Sequence, residues 1–306
     1  MRIVFAGTPD VAVPSLDALL AAGHDVAAVV TRPDAPVGRK RVLTPSPVAH
    51  HAEALGLKVL KSARADDALT AEVAALAPEL GVVVAYGGLL RRPLLETPRL
   101  GWINLHFSLL PRWRGAAPVQ RAVIAGDEIT GANVFQLEEG LDTGPVFGGI
   151  ETPTADKTAG QLLDELSRSG AGLLADVVAR LADGTAVAVP QQGEATHAPK
   201  LSVTDGVLDV SRSAEEVLQR FRGTTPEPGA SLSIEGDRVK VLAAAAAQSE
   251  LRVAPGDVVA DGRHALLGTG SDAIELLLVQ PAGRKPMPGA DWLRGRPGAV
   301  RVEVPE

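Results

Sequence analysis

Asn104 and His106 stand two residues apart in the run Trp102-Ile103-Asn104-Leu105-His106. Residues i and i+2 of a strand lie on one face, so an amide and an imidazole share one place where the strand ends. Such a pair can donate hydrogen bonds and move a proton, yet an Asn capping a turn beside a packed His is spelled the same way. Asp142 lies in Gly140-Leu141-Asp142-Thr143-Gly144. Asp-Thr-Gly is also the aspartic-protease tripeptide, but that chemistry shares a proton between two such aspartates and the chain has no second copy. Taken alone, the tripeptide reads as a turn. Gly7-Thr8-Pro9 lacks the second glycine that lets a backbone approach a pyrophosphate, and there is no GxxxxGK[ST] run. The absence of cysteine removes thiolate nucleophiles, zinc ribbons and iron–sulfur clusters. His50 and Glu53 have helical i, i+3 spacing but no third ligand near in sequence, so no metal site is expected.

These residues need a frame to hold them. The 306 residues are 45% hydrophobic and 22% charged, an ordinary globular balance with room for two domains. A formal net charge of −7 calls for no nucleic-acid or membrane partner overall, so any basic site must be local. No apolar run reaches the ~18 residues of a membrane span and no leader precedes the opening MRIVFAG, so a soluble, cytoplasmic protein is expected. Strands are expected at 2–6, 25–30, 58–60, 80–85 and 102–105, alternating with helices at 14–22, 47–55 and 66–77. That alternation predicts an α/β unit with a mostly parallel sheet, extended by a helix at 118–125, two strands at 132–137 and 145–150, and a long helix at 158–181. The stretch 188–204 carries Pro190, Gln191, Gln192, Gly193 and Pro199 without apolar periodicity and reads as a linker. Beyond it, one helix at 214–221 and short strands at 230–234, 238–243, 257–260, 264–267 and 273–279 suggest a small barrel or sandwich.

Asn104-x-His106 is followed by Ser108-Leu109-Leu110-Pro111-Arg112-Trp113-Arg114-Gly115-Ala116-Ala117-Pro118 and later by the Gly140–Gly144 run. Together they resemble the folate-dependent formyltransferases. The likeness extends to FAGTPD at 5–10, Gly38-Arg39-Lys40 with PSPV at 45–48, VVAYG at 83–87 and QPAGRK at 280–285, so it covers nearly the whole chain. The resemblance implies a Rossmann-like formyltransferase catalytic domain over 1–187, the linker 188–204, and an OB-like β-barrel over 205–306 that binds tRNA. It also implies 10-formyltetrahydrofolate as donor, with the α-amino group of initiator methionyl-tRNA as acceptor, and a monomer is expected.

Formyl transfer to an amine passes through a tetrahedral carbon bearing an oxyanion, which needs placed hydrogen-bond donors. In the light of the resemblance, Asn104 and His106 supply these donors. Asp142 orients His106 or accepts the amine proton through water, and a carboxylate beside an imidazole favours the imidazolium. By the same resemblance Ser108, Leu109, Leu110 and Pro111, with Tyr86, Gly87 and Leu89, form the folate site. Arg39, Lys40 and Arg41 lie in the stretch 31–47, too long for a routine connection, and the family's matching loop reaches the tRNA acceptor stem. Arg284, Lys285, Arg294 and Arg296 offer a further local basic track. Two features depart from the family: Phe107 stands where a small residue is usual, and Thr225-Pro226-Glu227-Pro228 replaces an aromatic-bearing turn. Two rival readings are an enzyme that formylates a nucleotide-linked amino sugar or glycinamide ribonucleotide, and a catalytically silent folate- or RNA-binding module. The basic loop and second domain favour the tRNA acceptor over a small one, and the intact trio argues against a silent module.

Overall fold

The computed structural model describes residues 1–38, 40–296 and 300–303. They form two compact units: Met1–Pro118 with Ile129–Pro153 and Leu163–Ala198, and Val119–Glu128 with Thr154–Leu162 and the chain from Pro199 onward.

In the first unit, seven strands make one sheet: β1 (Arg2–Gly7), β2 (Asp25–Thr31), β3 (Val59–Lys61), β4 (Leu80–Val84), β5 (Trp102–His106), β6 (Ile129–Gln136) and β7 (Val146–Pro153). Their order is β7-β6-β5-β4-β1-β2-β3. The five strands from β1 to β5 run parallel, and β6 and β7 join antiparallel at the β5 edge. Continuous apolar runs such as Ile3-Val4-Phe5-Ala6 are buried throughout, as strands covered on both faces require. Three helices follow the first three strands, α1 (Val13–Ala21), α2 (Pro47–Ala54) and α3 (Asp67–Ala75). Their starts are encoded locally: Ser46 Oγ accepts from Ala49 N at 3.1 Å and Asp66 Oδ1 from Leu69 N at 3.0 Å, with Pro47 in the first turn of α2. One core packs Val4, Val30, Val73, Val83, Tyr86 and Trp102 together.

The stretch after β2 is a small hairpin, residues Ala35–Val37 paired antiparallel with Val42–Thr44, where a loop was expected. The segment read as a linker is also structured as far as Ala198. Val189 bridges Val146, and His197–Ala198 pair in parallel with Arg114–Gly115.

The second unit takes residues that a simple split at 187 assigns to the first. Helix α4 (Pro118–Ile124) contributes Arg121, whose guanidinium meets Asp205 at 3.1 Å, and Asp156 pairs with Arg222 at 2.7 Å. A long helix α5 (Ala159–Ala182) starts with Gly160 N donating to Thr225 O at 3.1 Å. The departing Thr225–Pro228 turn therefore packs on a helix start: a Cβ at Gly160 would lie 2.6 Å from Pro226 Cδ. Helix α6 (Ala214–Gly223) carries a capping box between Ser213 and Glu216 and buries Val217, Leu218 and Phe221.

Six strands follow in an antiparallel sheet: β8 (Ala230–Ile234), β9 (Asp237–Ala246), β10 (Asp257–Asp261), β11 (His264–Gly268), β12 (Ala273–Pro281) and β13 (Val300–Arg301). The order is β8-β9-β12-β11-β10-β13, with Met287–Pro288 added beside β12 and a helix α7 at Gly289–Arg294. The sheet curls into a half-barrel, in keeping with the small β-barrel expected. Glu303 joins its two edges. Its N–H donates to Ser233 O at 2.8 Å, and its carboxylate accepts from Ser233 Oγ at 2.5 Å and from Gly236 N at 2.8 Å. These hydrogen bonds, Ser233 first and then Gly236, hold the Glu303 carboxyl below its ordinary range. A depressed carboxyl pKa stabilises the folded state above the unfolded value and loses that contribution as pH falls. Glu303→Gln is therefore expected to lower the midpoint of thermal unfolding at neutral pH, with the difference from the parent shrinking as pH is taken below 4.5, the group's ordinary value. Thermal scans at several pH values check this.

Candidate active site

Asn104 and His106 leave the carboxyl end of β5, flanked by Val83 on one side and by Phe135 and Asn133 on the other. Open α/β sheets bind ligands beyond the carboxyl ends of their strands. The His106 ring is buried, edge-on to Phe135 with centroids 6.3 Å apart. Its Nε2 lies 2.9 Å from Trp113 O. A carbonyl oxygen only accepts, so Nε2 carries the hydrogen, and Nδ1 of the neutral ring holds the lone pair. Asp142 Oδ2 lies 3.8 Å from Nδ1, close enough to pair with a charge and too far for a hydrogen bond.

The same Oδ2 accepts from Gly115 N at 2.8 Å. Asp142 itself has a left-handed backbone, φ 52°, a conformation that costs an ordinary L-residue roughly 1–2 kcal/mol and that Asp tolerates better than most. Asn104 differs from both. Its Oδ1 is buried without a hydrogen-bond partner, and no side-chain hydrogen bond of Asn104 occurs among the described residues. An unspent amide in such a place costs free energy unless a ligand completes it.

His106 and Asp142 lie together, and Asn104 stands two residues from His106 on the same strand, but the charge state of His106 differs from the one expected. Burial lowers the imidazole pKa from 6.5, and the opposing pull of Asp142 and the bond to Trp113 do not make up the loss. The ring is neutral near pH 7 rather than an imidazolium, and its N–H is already given to Trp113. Proton acceptance at Nδ1 is the chemistry it offers, while Asn104 keeps the free donors.

Around the trio the structure sorts the other residues. Ser108 is fully buried and donates to Arg112 O at 2.7 Å, so its hydroxyl holds the loop. Leu110 N donates to Asn133 Oδ1 at 2.6 Å, Pro111 is buried, and Leu109 and Leu110 are half-buried. Tyr86 belongs to the core: its ring is buried, and its carbonyl accepts from Thr8 Oγ1 at 2.8 Å. Only backbone there remains for a ligand. Gly87 has φ 76°, and Leu89 is 71% exposed. Phe107 is buried, just past the end of β5. Lys40 and Arg41 are exposed at the hairpin tip, and Arg39 lies outside the described residues. In the second unit, Arg296 is spent on Glu235 at 3.2 Å and on the Trp292 ring, and Arg294 pairs with Asp291, which weakens the idea of a free basic track there.

Three residues escaped the sequence reading. Asn133 supports the loop from β6. Thr196 Oγ1 accepts from Trp113 N at 2.9 Å, and Gln191 donates to the carbonyls of Asp142 at 2.7 Å and Gly144 at 2.8 Å. Thr196 and Gln191 fall in the supposed linker, which had no periodicity to mark them. Among the described residues no three His, Asp or Glu side chains cluster as metal ligands would.

A Rossmann-like sheet that ends one strand in an amide and an imidazole, with the Asp142 carboxylate beside the imidazole, in a chain that also carries a half-barrel, suits the transfer of a small acyl group. Residues 1–178 match the formyl transferase family, and residues 200–297 match the formyl transferase C-terminal domain. The chain belongs to the formyl transferase family. It is 61% identical to a methionyl-tRNA formyltransferase of Clavibacter sepedonicus over 96% of this chain and 97% of that protein. It is 60% identical to the enzyme of that name from Leifsonia xyli over 97% and 98% of the two chains. Among solved structures, an N-formyltransferase from Helicobacter canadensis with folinic acid and dTDP-3-aminofucose superposes with a TM-score of 0.68. It covers 92% of this chain and 99% of that one at 18% identity. Methionyl-tRNA formyltransferase from Clostridium thermocellum gives 0.60, covering 82% and 95%, at 16% identity. At such identities these structures bear on the fold alone.

The lowered imidazole pKa has a measurable sign. Followed by NMR, His106 is expected to titrate below 6.5, and lower still in Asp142→Asn, because Asp142 is the chief group raising it. A titration above 6.5 would return the imidazolium to the site.

Proposed function

We infer that this protein transfers a formyl group from 10-formyltetrahydrofolate to the α-amino group of initiator methionyl-tRNA, giving the formylated initiator for translation. The observation that carries this reading is the 61% identity, over nearly the full length of both chains, with a methionyl-tRNA formyltransferase. The assembled Asn104, His106 and Asp142 support it independently. The folate co-substrate supplies the activated formyl carbon, and the residues present fit it: a free amide at Asn104, half-buried Leu109 and Leu110, and the open backbone at Gly87 and Leu89. Ser108, Pro111 and the ring of Tyr86 serve that site by holding its walls.

Each member of the trio then has one task. Asn104 Nδ2 donates to the formyl oxygen as negative charge develops on it. The acceptor α-amino group, with an ordinary pKa of about 8, is partly neutral near pH 7 and needs only modest help to lose its proton. His106 Nδ1 takes that proton as the amine bonds to the formyl carbon, and returns it to the folate nitrogen as the bond between that nitrogen and the formyl carbon breaks; the imidazolium in between lies 3.8 Å from the Asp142 carboxylate. Asp142 therefore stabilises a charge that exists only once the proton has moved, which is where a catalytic interaction is useful.

The hairpin contributes to the tRNA end. Lys40 and Arg41 project at its tip, and Val37, Val42 and Leu43 are exposed on its arms, giving cations for phosphates beside apolar surface for unstacked bases. Arg39 shares that tip in sequence. A charged initiator tRNA as substrate implies work in the cytoplasm, and one chain holding the whole trio is consistent with a monomer. No described helix is long and apolar enough to cross a membrane.

An assay with the purified protein, 10-formyltetrahydrofolate and charged initiator methionyl-tRNA, run beside a UDP-amino sugar and glycinamide ribonucleotide, tests the reading. Transfer to the tRNA is expected, and transfer to a small acceptor instead would overturn it. Asp142→Asn and His106→Ala are expected to lower kcat by ~10²–10⁴ with KM for both substrates little changed. Arg39→Ala is expected to weaken tRNA use and to reduce the salt dependence of binding by about one unit of slope. An unchanged slope removes Arg39 from the interface.

A further inference from the structure

Asp142 is held at its backbone as well as at its carboxylate. One primary amide, that of Gln191, gives a hydrogen to the carbonyl of Asp142 at 2.7 Å and another to that of Gly144 at 2.8 Å. Its oxygen accepts two hydrogens from the Arg114 guanidinium, Nη2 at 2.6 Å and Nε at 3.2 Å. Every donor of the amide is used and both lone pairs of its oxygen are filled. Arg114 is followed by Gly115, whose N–H reaches Asp142 Oδ2, and preceded by Trp113, whose carbonyl receives the His106 hydrogen. The contacts form a ring: Asp142 carbonyl, Gln191, Arg114, Gly115, Asp142 carboxylate. Turning Asp142 out of its left-handed conformation would break both Gln191 bonds and the Gly115 bond together.

We propose that Gln191 is a positioning residue for formyl transfer: by clamping the Asp142–Gly144 turn to Arg114, it fixes the carboxylate at its separation from His106. Among the described residues no hydrogen bond joins Gln191 to a side chain of the trio, so it acts through the Asp142 backbone. The proposal rests on the reading of Asp142 given above. It also assigns a task to a stretch that resembles a linker in sequence.

Gln191→Met keeps the length and removes all four hydrogen bonds, while Gln191→Glu keeps the acceptors for Arg114 and removes the two donors to the turn. Both are expected to lower kcat by about 10- to 100-fold, a usual loss when a supporting hydrogen bond behind a working group is removed. KM for 10-formyltetrahydrofolate and for methionyl-tRNA should change less than about threefold. In both variants the acid limb of kcat should move to lower pH, because Asp142 then supports the imidazolium less well. Neither readout follows from a general loss of stability.

The decisive measurement is a double-mutant cycle. In an Asp142→Asn background, Gln191→Met should cost no further kcat. If Asp142→Asn alone keeps full turnover, the reading of the site fails. If Asp142→Asn loses turnover but Gln191→Met keeps wild-type kcat, or costs as much in the Asp142→Asn background as in the parent, the positioning role fails and the site stands. Should Gln191→Met fail to fold, Gln191→Glu decides, since its bonds to Arg114 are preserved; wild-type kcat in that variant overturns the proposal.

Discussion

The site depends on one short piece of backbone, Trp113 to Gly115. The Trp113 carbonyl fixes the tautomer of His106, and the Gly115 N–H fixes the carboxylate of Asp142, so the two side chains proposed as catalytic, from distant parts of the chain, are set by the same two peptide units. That backbone must itself be held. Trp113 N donates to Thr196 Oγ1 at 2.9 Å, Arg114 N to Thr196 O at 2.9 Å, and Ala116 N to Ala198 O at 2.9 Å. The approach leaves no space for a side chain at Gly115: φ is 125° and a Cβ there would lie 2.8 Å from Ala198 O. The glycine of the Trp-Arg-Gly run is thus a requirement of packing against the 196–198 segment, and through it of the placement of the Asp142 carboxylate.

Much of the fold was legible because its strands announce themselves. A parallel sheet covered on both faces needs unbroken apolar runs, and Ile3–Ala6 and Leu80–Val84 are such runs, separated by helices with Ser46 and Asp66 as visible caps. Asn104 and His106 were legible because their relation is local, two residues on one strand. Gln191 and Thr196 were not, because their partners Asp142 and Trp113 are 49 and 83 residues away and a hydrogen bond of that reach leaves no period. The division into units was obscured for the same reason. Asp156 and Arg121 look like parts of the first domain along the chain, and only their pairing with Arg222 and Asp205 places them in the second unit. The hairpin at 35–44 was missed because Val37, Val42 and Leu43 point outward, so its strands lack the apolar-in, polar-out signature.

The charge on His106 was misjudged for a different reason, since spacing carries the attraction of Asp142 but not the burial. Two full charges about 4 Å apart gain roughly 4 kcal/mol at an effective dielectric of 20. Removing an ion from water costs several kcal/mol, so the terms are comparable and geometry decides between them. At 3.8 Å no hydrogen bond joins Nδ1 to the carboxylate, and the Asp142 oxygen nearest to it is already taken by Gly115. The neutral ring is therefore the resting state, although a cation formed there during turnover meets a carboxylate already in place. A closer carboxylate would stabilise the imidazolium before substrate arrived and spend the lone pair that the reaction needs. On the proposed mechanism, the distance kept by Gly115 and Gln191 is functional: near enough to support the charge, and far enough not to create it.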